Sequence, residues 1–332
     1  MNIIATINPW SDKNFIETIN NLKDQSINII RINTKVATLD EHFSELFCFI
    51  QRIIETIPDI KFMFDIGYPK DTVRLSVNNS DYNFTVDKEA DYELRFFNQK
   101  TDDMEFIDNV IYLNQKPANL KEGDKIVYGD GKNIFTVKEK ISCNSYLITP
   151  LATQKVWSSA KLHFPNTIYS QDNYLDLFLE YVKILPKKYI FGIALSFIET
   201  KEEVDYFREI TNNSYKIISK IESDKAIINI QEIMNSTDFL MLGRGDLLFS
   251  LPQKANLLDL ERKISKLCRK NNIPFIFATG YLESLSNNFL PARADIVDYL
   301  IAKELGAEYI TISKAVTMNK DLEVGLSYLV GI

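Results

Sequence analysis

Eight short runs of apolar, largely β-branched or aromatic residues recur along the chain. They are NIIATI (2–7), INIIRIN (27–33), IKFMFDI (60–66), IFGIALS (190–196), YKIISKIE (215–222), FLMLGRG (239–245), PFIFATG (274–280) and AEYITIS (307–313). Between most of them the apolar period lengthens to that of an amphipathic helix, over 12–24, 39–56, 200–211, 225–235, 255–271, 295–305 and 320–330. Strands that are apolar on both faces and alternate with helices belong to a parallel sheet covered on both sides. Eight such units predict an α/β protein with a closed (β/α)8 TIM barrel. An open doubly wound sheet is the rival, but no glycine-rich fingerprint follows the first run.

One interval breaks this rhythm. Between the third and fourth runs lie short alternating segments such as YNFTVDKEADYELRFF, NVIYLNQKP and LKEGDKIVYGDGKNIFTVKEKISCNSYLITPL, split by Gly, Asn, Asp and Pro. EGDKI and GDGKN read as hairpin turns. The pattern predicts a small all-β domain inserted after strand three. The expected organisation is barrel over 1–75, inserted β-barrel-like domain over 76–165, and barrel again over 166–332. An insertion at the C-terminal face of a barrel is placed to act as a lid.

Composition narrows the function classes. The 332 residues are 45% hydrophobic and 25% charged, with a net charge of −7. That balance gives no global attraction to nucleic acid or to an anionic membrane. No apolar run approaches the ~20 residues that span a bilayer, and MNIIATINPW reads as a strand rather than a signal peptide. Three scattered cysteines, Cys48, Cys143 and Cys268, suit a reducing compartment, so a cytoplasmic location is expected. With only His42 and His163, no histidine or cysteine metal cluster is available, and His42 lies in a helical pattern that suits a solvated face. Metal binding and proton transfer then rest on carboxylates, lysine, hydroxyls or water.

The C-terminal ends of barrel strands face the site. The residues there are Thr6, Asn8, Arg31, Asn33, Lys35, Asp65, Ser196, Lys220, Glu222, Arg244, Gly245, Asp246, Thr279, Ser313 and Lys314. Any one of them has a plain reading as a strand leaving the core; the set favours a site. Lys220 and Glu222 are two apart on a strand and share a face. Asp246 ends the next strand, and adjacent strands run about 5 Å apart. Two carboxylates so placed suit one Mg²⁺, with substrate oxygens and water completing its shell. Lys220 beside them suits a transferring phosphoryl group or a developing enolate. The alternative is a structural Lys220–Glu222 ion pair. Gly245 permits close approach of a ligand to the backbone. The Arg244-Gly245-Asp246 tripeptide also spells an adhesion motif, which an intracellular chain does not favour.

The segments IIATINP, INIIRIN, FDIGYPKDTVR, LKEGDKIVYGDG, ALSFIET, IISKIES, LGRGDL, PFIFATGYLES, PARADIVD and ITIS, in this order and spacing, resemble the pyruvate kinase family over nearly the whole chain. The resemblance implies Glu222 and Asp246 as ligands of Mg²⁺ or Mn²⁺. It implies Lys220 at the transferring phosphoryl group, Arg31 as a phosphate-binding arginine, and Gly245 and Asp246 at the substrate carboxylate. Thr279 falls beside the substrate methyl carbon, and Arg244 becomes a substrate-side or positioning group. Arg74 is similar to an arginine near the nucleotide phosphates, and Asn33 and Asp65 to monovalent-cation ligands. The chain departs from the family's pattern at Asn33-Thr34-Lys35-Val36-Ala37, where a lysine replaces a K⁺ ligand, with Lys70 as a second such candidate. K⁺ is therefore not expected to be required. It departs again at Thr279-Gly280, where a polar side chain is lost and space is expected to open. At Ser313-Lys314-Ala315-Val316 the family's strand-eight glutamate is missing. The family's C-terminal effector domain is expected to be absent, and a monomer or homodimer is expected.

The expected function is a pyruvate-kinase-like, Mg²⁺-dependent enzyme that binds phosphoenolpyruvate, pyruvate or an analogue. It transfers a phosphoryl group by way of a metal-stabilised enolate, to ADP or another acceptor. Lyase or decarboxylase chemistry on a 2-oxo acid is an alternative, as is a non-catalytic ligand-binding scaffold. The loss of the strand-eight glutamate predicts weak ordinary kinase turnover.

Overall fold

The structure is a computed structural model. Its described residues are 1–7, 15–34, 40–69, 73–74, 83–96, 107, 109–113, 120–128, 133–157, 161–164, 174–251 and 257–330. The chain is α/β and divides into two compact units, Met1–Pro69 with Gln171–Ile332, and Lys70–Ser170.

The larger unit is a closed parallel barrel of eight strands. They are β1 (Asn2–Ile7), β2 (Ile29–Asn33), β3 (Lys61–Pro69), β4 (Ile190–Ser196), β5 (Ile217–Ile221), β6 (Phe239–Gly243), β7 (Phe275–Tyr281) and β8 (Tyr309–Ile312). Each pairs with its sequence neighbour, and β1 closes the ring by pairing Ala5 with Ile30 of β2 and with Ile312 of β8. One apolar layer, fully buried, lies between strands and helices and includes Ile30, Phe62, Phe64, Ile193, Ile217, Leu240 and Phe277. A second fills the barrel and includes Ile4, Ile29, Met63, Ala194, Ile218, Met241 and Ile276. At its N-terminal end Phe191, Phe239 and Tyr309 pack ring on ring, with centroids 5.1–6.4 Å apart.

Strand period two places the chemistry directly above that interior. One step along each strand from Ile4, Ile29, Met63, Ala194 and Ile218 stand Thr6, Arg31, Asp65, Ser196 and Lys220. The same face therefore turns from apolar to polar within two residues on each of these strands.

The helices follow local signals. Thr200 and Glu203 form a reciprocal capping box that starts Lys201–Ile210, and the Ser223 hydroxyl accepts from the Ala226 amide to start Asp224–Ile228. The helix Tyr174–Val182 is absent from the sequence reading. Its nine residues are fewer than the roughly 11–18 over which a helical period is read, and its Tyr174 hydroxyl lies 2.7 Å from Thr34 Oγ, just after β2. The stretch expected as one helix over 225–235 is two short ones, Asp224–Ile228 and Ile230–Met234.

The smaller unit is β-structured throughout its described residues. A seven-stranded sheet runs in the order 73–74, 161–163, 125–128, 133–142, 145–150, 92–96 and 110–113, and a separate pair joins 154–157 to 83–86. Its own core includes Val86, Leu94, Leu113, Ile126, Tyr128, Phe135, Val137 and Ile148. Lys125–Tyr128 and Asn133–Ser142 pair antiparallel, with Tyr128 opposite Asn133. Tyr92–Phe96 and Val110–Leu113 pair in parallel. Val73 and Arg74, placed with the barrel on sequence grounds, pair with Leu162 and Lys161 within this unit.

Candidate active site

Five neighbouring strands build one polar and charged network at the barrel mouth. Asp65 on β3 is fully buried. Arg31 on β2 donates to its Oδ2 twice, from Nη2 at 2.6 Å and from Nε at 2.9 Å. Arg31 also donates from Nη1 to Thr6 Oγ on β1 at 3.2 Å. From the other side Lys220 Nζ on β5 lies 3.2 Å from Asp65 Oδ2 and 3.0 Å from Glu222 Oε1. Ser196 Oγ on β4 donates to Asp65 Oδ1 at 3.3 Å and accepts from Lys220 at the same distance. Lys220 and Glu222 are each 4% exposed, so these charges face one another with little water between them, and each buried charge needs its partner. The Lys220–Glu222 ion pair thus exists, as one link in a longer chain that runs to Arg31.

The carboxylate of Glu222 is held at both oxygens, Oε1 by Lys220 and Oε2 by the Phe197 amide at 2.9 Å. Gly243, the last residue of β6, lies against it. A Cβ added there would come within 2.6 Å of Glu222 Cγ and 2.8 Å of Oε1. Three residues further on Asp246, also buried, sits in the first turn of the helix Arg244–Ser250. Strand β6 ends at Gly243, so Arg244, Gly245 and Asp246 open a helix rather than finish a strand.

Thr279 and Gly280 form a left-handed turn on β7, with φ of 75° and 85°. For a β-branched residue such as Thr279 this conformation costs about 1–3 kcal/mol, and strain of this kind concentrates at functional sites. Arg244 holds the turn, donating to the Thr279 carbonyl from Nε at 3.1 Å and Nη2 at 2.8 Å. The expectation that Gly280 opens space is corrected here. Its Cβ position would meet Arg244 Nη2 at 3.3 Å, and its positive φ is what asks for glycine. Arg244 itself is committed to the fold, with a two-pronged ion pair to Asp298 at 2.7 and 2.6 Å.

Asn33 closes β2 and pairs in register with Asp65. Thr34, fully buried, donates to the Asp65 carbonyl oxygen at 3.1 Å. Lys35, Lys70 and Asn8 lie outside the described residues. Arg74 belongs to the smaller unit by its backbone pairing. At strand eight, Ser313 Oγ donates to Glu283 Oε2 at 3.2 Å. A carboxylate from the segment after β7 thus reaches the serine whose own neighbourhood lacks one, which the sequence reading missed although Glu283 lies within GYLES. Gly243, Tyr281 and Asp298 were likewise missed; a glycine inside an apolar strand was the available signal for the first.

The donor set bears on which metal the site suits. Among the described residues no three His, Cys, Asp or Glu side chains gather as a metal cage. Glu222 and Asp246 supply oxygen donors from neighbouring elements, and two carboxylates with ligand and water oxygens is the pattern of Mg²⁺ rather than of a structural zinc. The residues present fit a hard divalent cation.

A closed parallel barrel with paired acids and bases at the C-terminal ends of its strands defines a (β/α)8 protein with its site at that face. The family profile described as pyruvate kinase, barrel domain, matches residues 1–318, and the chain belongs to the pyruvate kinase family. It is 25% identical over 323 residues to the pyruvate kinase of Thermotoga maritima, covering 96% of this chain and 67% of that one. It is 27% identical over 339 residues to that of Schizosaccharomyces pombe, covering 98% and 64%. To that of Mycoplasma pneumoniae it is 31% identical over 200 residues, covering 59% and 39%. The chain spans roughly two thirds of the length of the relatives it matches end to end. No described helix is long and apolar enough to cross a membrane.

Proposed function

We propose that the chain is a divalent-cation-dependent phosphotransferase of the pyruvate kinase type, acting on phosphoenolpyruvate or pyruvate by way of an enolate. The observation that carries this reading is the chain from half-buried Arg31 through buried Asp65 and Lys220 to Glu222 at the mouth. With Asp246 added, its carboxylates exceed its cations by one charge. A divalent cation reverses that sign, and the site then suits an anionic phosphate ester or carboxylate. Glu222 and Asp246 would hold Mg²⁺ or Mn²⁺, which supplies charge neutralisation at the substrate oxygens.

In this reading Arg31 and Lys220 orient the phosphoryl group and offset its charge, which is most of what phosphoryl transfer asks of a protein. The phosphorus–oxygen bond to the enol oxygen breaks as a bond to the acceptor oxygen forms. The electron pair left on the enolate then takes a proton at the methylene carbon. Thr279 would stand on that side, and Ser313 with Glu283 forms a hydroxyl–carboxylate pair that could deliver the proton. Gly245 and Asp246 would meet the substrate carboxylate through their amides, and the acceptor would be ADP or another phosphoryl acceptor. Asp65 already has Arg31, Lys220 and Ser196 around it, which supports a site that works without K⁺. Thermal stabilisation by Mg²⁺ with phosphoenolpyruvate, followed by assay of ADP phosphorylation, tests the reading. Stabilisation that needs both components supports it, and indifference to both defeats it.

A further inference from the structure

Beneath the Thr279–Gly280 turn lies a second charged cluster that the reaction scheme does not use. Arg244 is 12% exposed at its side chain and meets four groups from three elements. Asp298, on the helix Arg293–Glu304, takes both of its terminal nitrogens. Tyr281 on β7 lies under the guanidinium, 4.0 Å from the ring centroid, a cation–π geometry. The Thr279 carbonyl accepts from its Nε and Nη2. Glu261, on the helix Leu257–Asn271, is buried with Oε1 3.6 Å from Nη1, and that oxygen has no hydrogen-bond partner. Burial works against the Arg244 charge, but the carboxylates around it raise its pKa on balance.

We propose that Asp298 is a positioning residue for this site. By clamping Arg244 it holds the Thr279 carbonyl, and with it the left-handed turn at the mouth, and it seats the helix turn that carries Asp246. Arg244 is the first residue of that helix, so one guanidinium fixes both the β7 turn and the start of the segment bearing a candidate cation ligand. Asp298 and Glu261 compete for it. In the native arrangement Asp298 has the two-pronged bond and Glu261 has none. If Asp298 lost its charge, Glu261 would become the stronger partner and would draw the guanidinium off the Thr279 carbonyl. The strained turn would then relax.

The ligand half of the test rests on the proposed function; the backbone half does not. Asp298→Asn, Glu261→Gln and the double variant are compared by amide hydrogen exchange across 279–282 without ligand. Each is also titrated with oxalate, a planar analogue of the enolate, in the presence of Mg²⁺. Asp298→Asn is expected to speed exchange and weaken oxalate by roughly 10- to 100-fold, as a displacement of about 1 Å does at a preorganised site. Glu261→Gln alone is expected to match wild type. The double variant is expected to recover most of both losses, because the competitor is gone and the side-chain amide introduced at position 298 still accepts one bond. A purely structural role predicts additive damage instead. Unchanged exchange in Asp298→Asn, or a double variant no better than the single, would overturn the proposal. If wild type itself ignores oxalate, the proposed function fails, and exchange alone decides on Asp298. Should Asp298→Asn not fold, Asp298→Glu misplaces the same carboxylate by one methylene and is expected to show the faster exchange.

Discussion

Gly243→Ala is the sharpest single perturbation of the cation site, because the glycine is required by space alone. Its φ of −83° is open to any residue. An alanine Cβ there would lie 2.6 Å from Glu222 Cγ and 3.1 Å from Cδ, against an optimum of about 3.5–4.0 Å. Something must therefore move by about 1 Å. Glu222 is not a loose surface side chain, since Lys220 and the Phe197 amide hold its two oxygens and it is 4% exposed. Overpacking of this kind costs about 1–3 kcal/mol, and a carboxylate moved by about 1 Å loses on the order of 100-fold in a geometry-dependent function. Urea unfolding and calorimetric titration with Mn²⁺ measure the two effects separately. Shortening the partner checks the cause: in the Glu222→Ala background the added methyl has room, so its stability cost should largely vanish. Unchanged Mn²⁺ affinity and unchanged stability in Gly243→Ala would refute the close approach of Gly243 to Glu222 and the role given to that carboxylate.

Lys220→Met leaves the buried Asp65 and Glu222 short of a shared cation and is expected to cost about 3–5 kcal/mol in urea unfolding; a loss below about 1 kcal/mol would mean that water or Arg31 already satisfies them. Any turnover is expected to proceed without K⁺, and a saturable K⁺ requirement in the wild-type protein would count against Asp65 being cation-saturated by its own neighbours. Burial, with Asp298 adding to it, raises the Glu261 pKa above its ordinary 4.5, although Arg244 opposes the shift. The folded state then favours the protonated acid, a stabilisation present below about pH 4.5 and lost as pH rises through the higher folded value. Glu261→Gln is therefore expected to be more stable than wild type at neutral pH, by on the order of 1 kcal/mol, and equal to it in acid; the reverse pH trend in thermal melts would refute this.

The barrel was legible because each of its strands is a buried apolar run, and the polar mouth because period two carries the interior face from a hydrophobe to a polar or charged residue. Ile218, Lys220 and Glu222 show this within five residues. What sequence could not supply was pairing at a distance. The spacing of Lys220 and Glu222 predicted their contact, but the contact of Lys220 with Asp65 spans 155 positions. That link depends on where the barrel closes. Arg244 sat in a tripeptide with three readings, and its partner Asp298 is 54 positions away on a helix whose apolar pattern is weak. Gly280 looked like a lost side chain, and only the backbone angle and the nearby guanidinium give its reason. Tyr174–Val182 escaped because its nine residues fall short of the window of roughly 11–18 in which a helical period stands out.

The central claim is that Glu222, Asp246 and Lys220 together stabilise an enolate of pyruvate. Proton NMR of pyruvate in D₂O with the protein and Mg²⁺ tests it most directly, because loss of the methyl signal reports enolate formation without any phosphoryl acceptor. The prediction is slow exchange that requires Mg²⁺, is abolished in Asp246→Asn, and persists whether or not ADP phosphorylation is detectable. Exchange at the buffer rate in the wild-type protein saturated with Mg²⁺ and pyruvate would contradict the account.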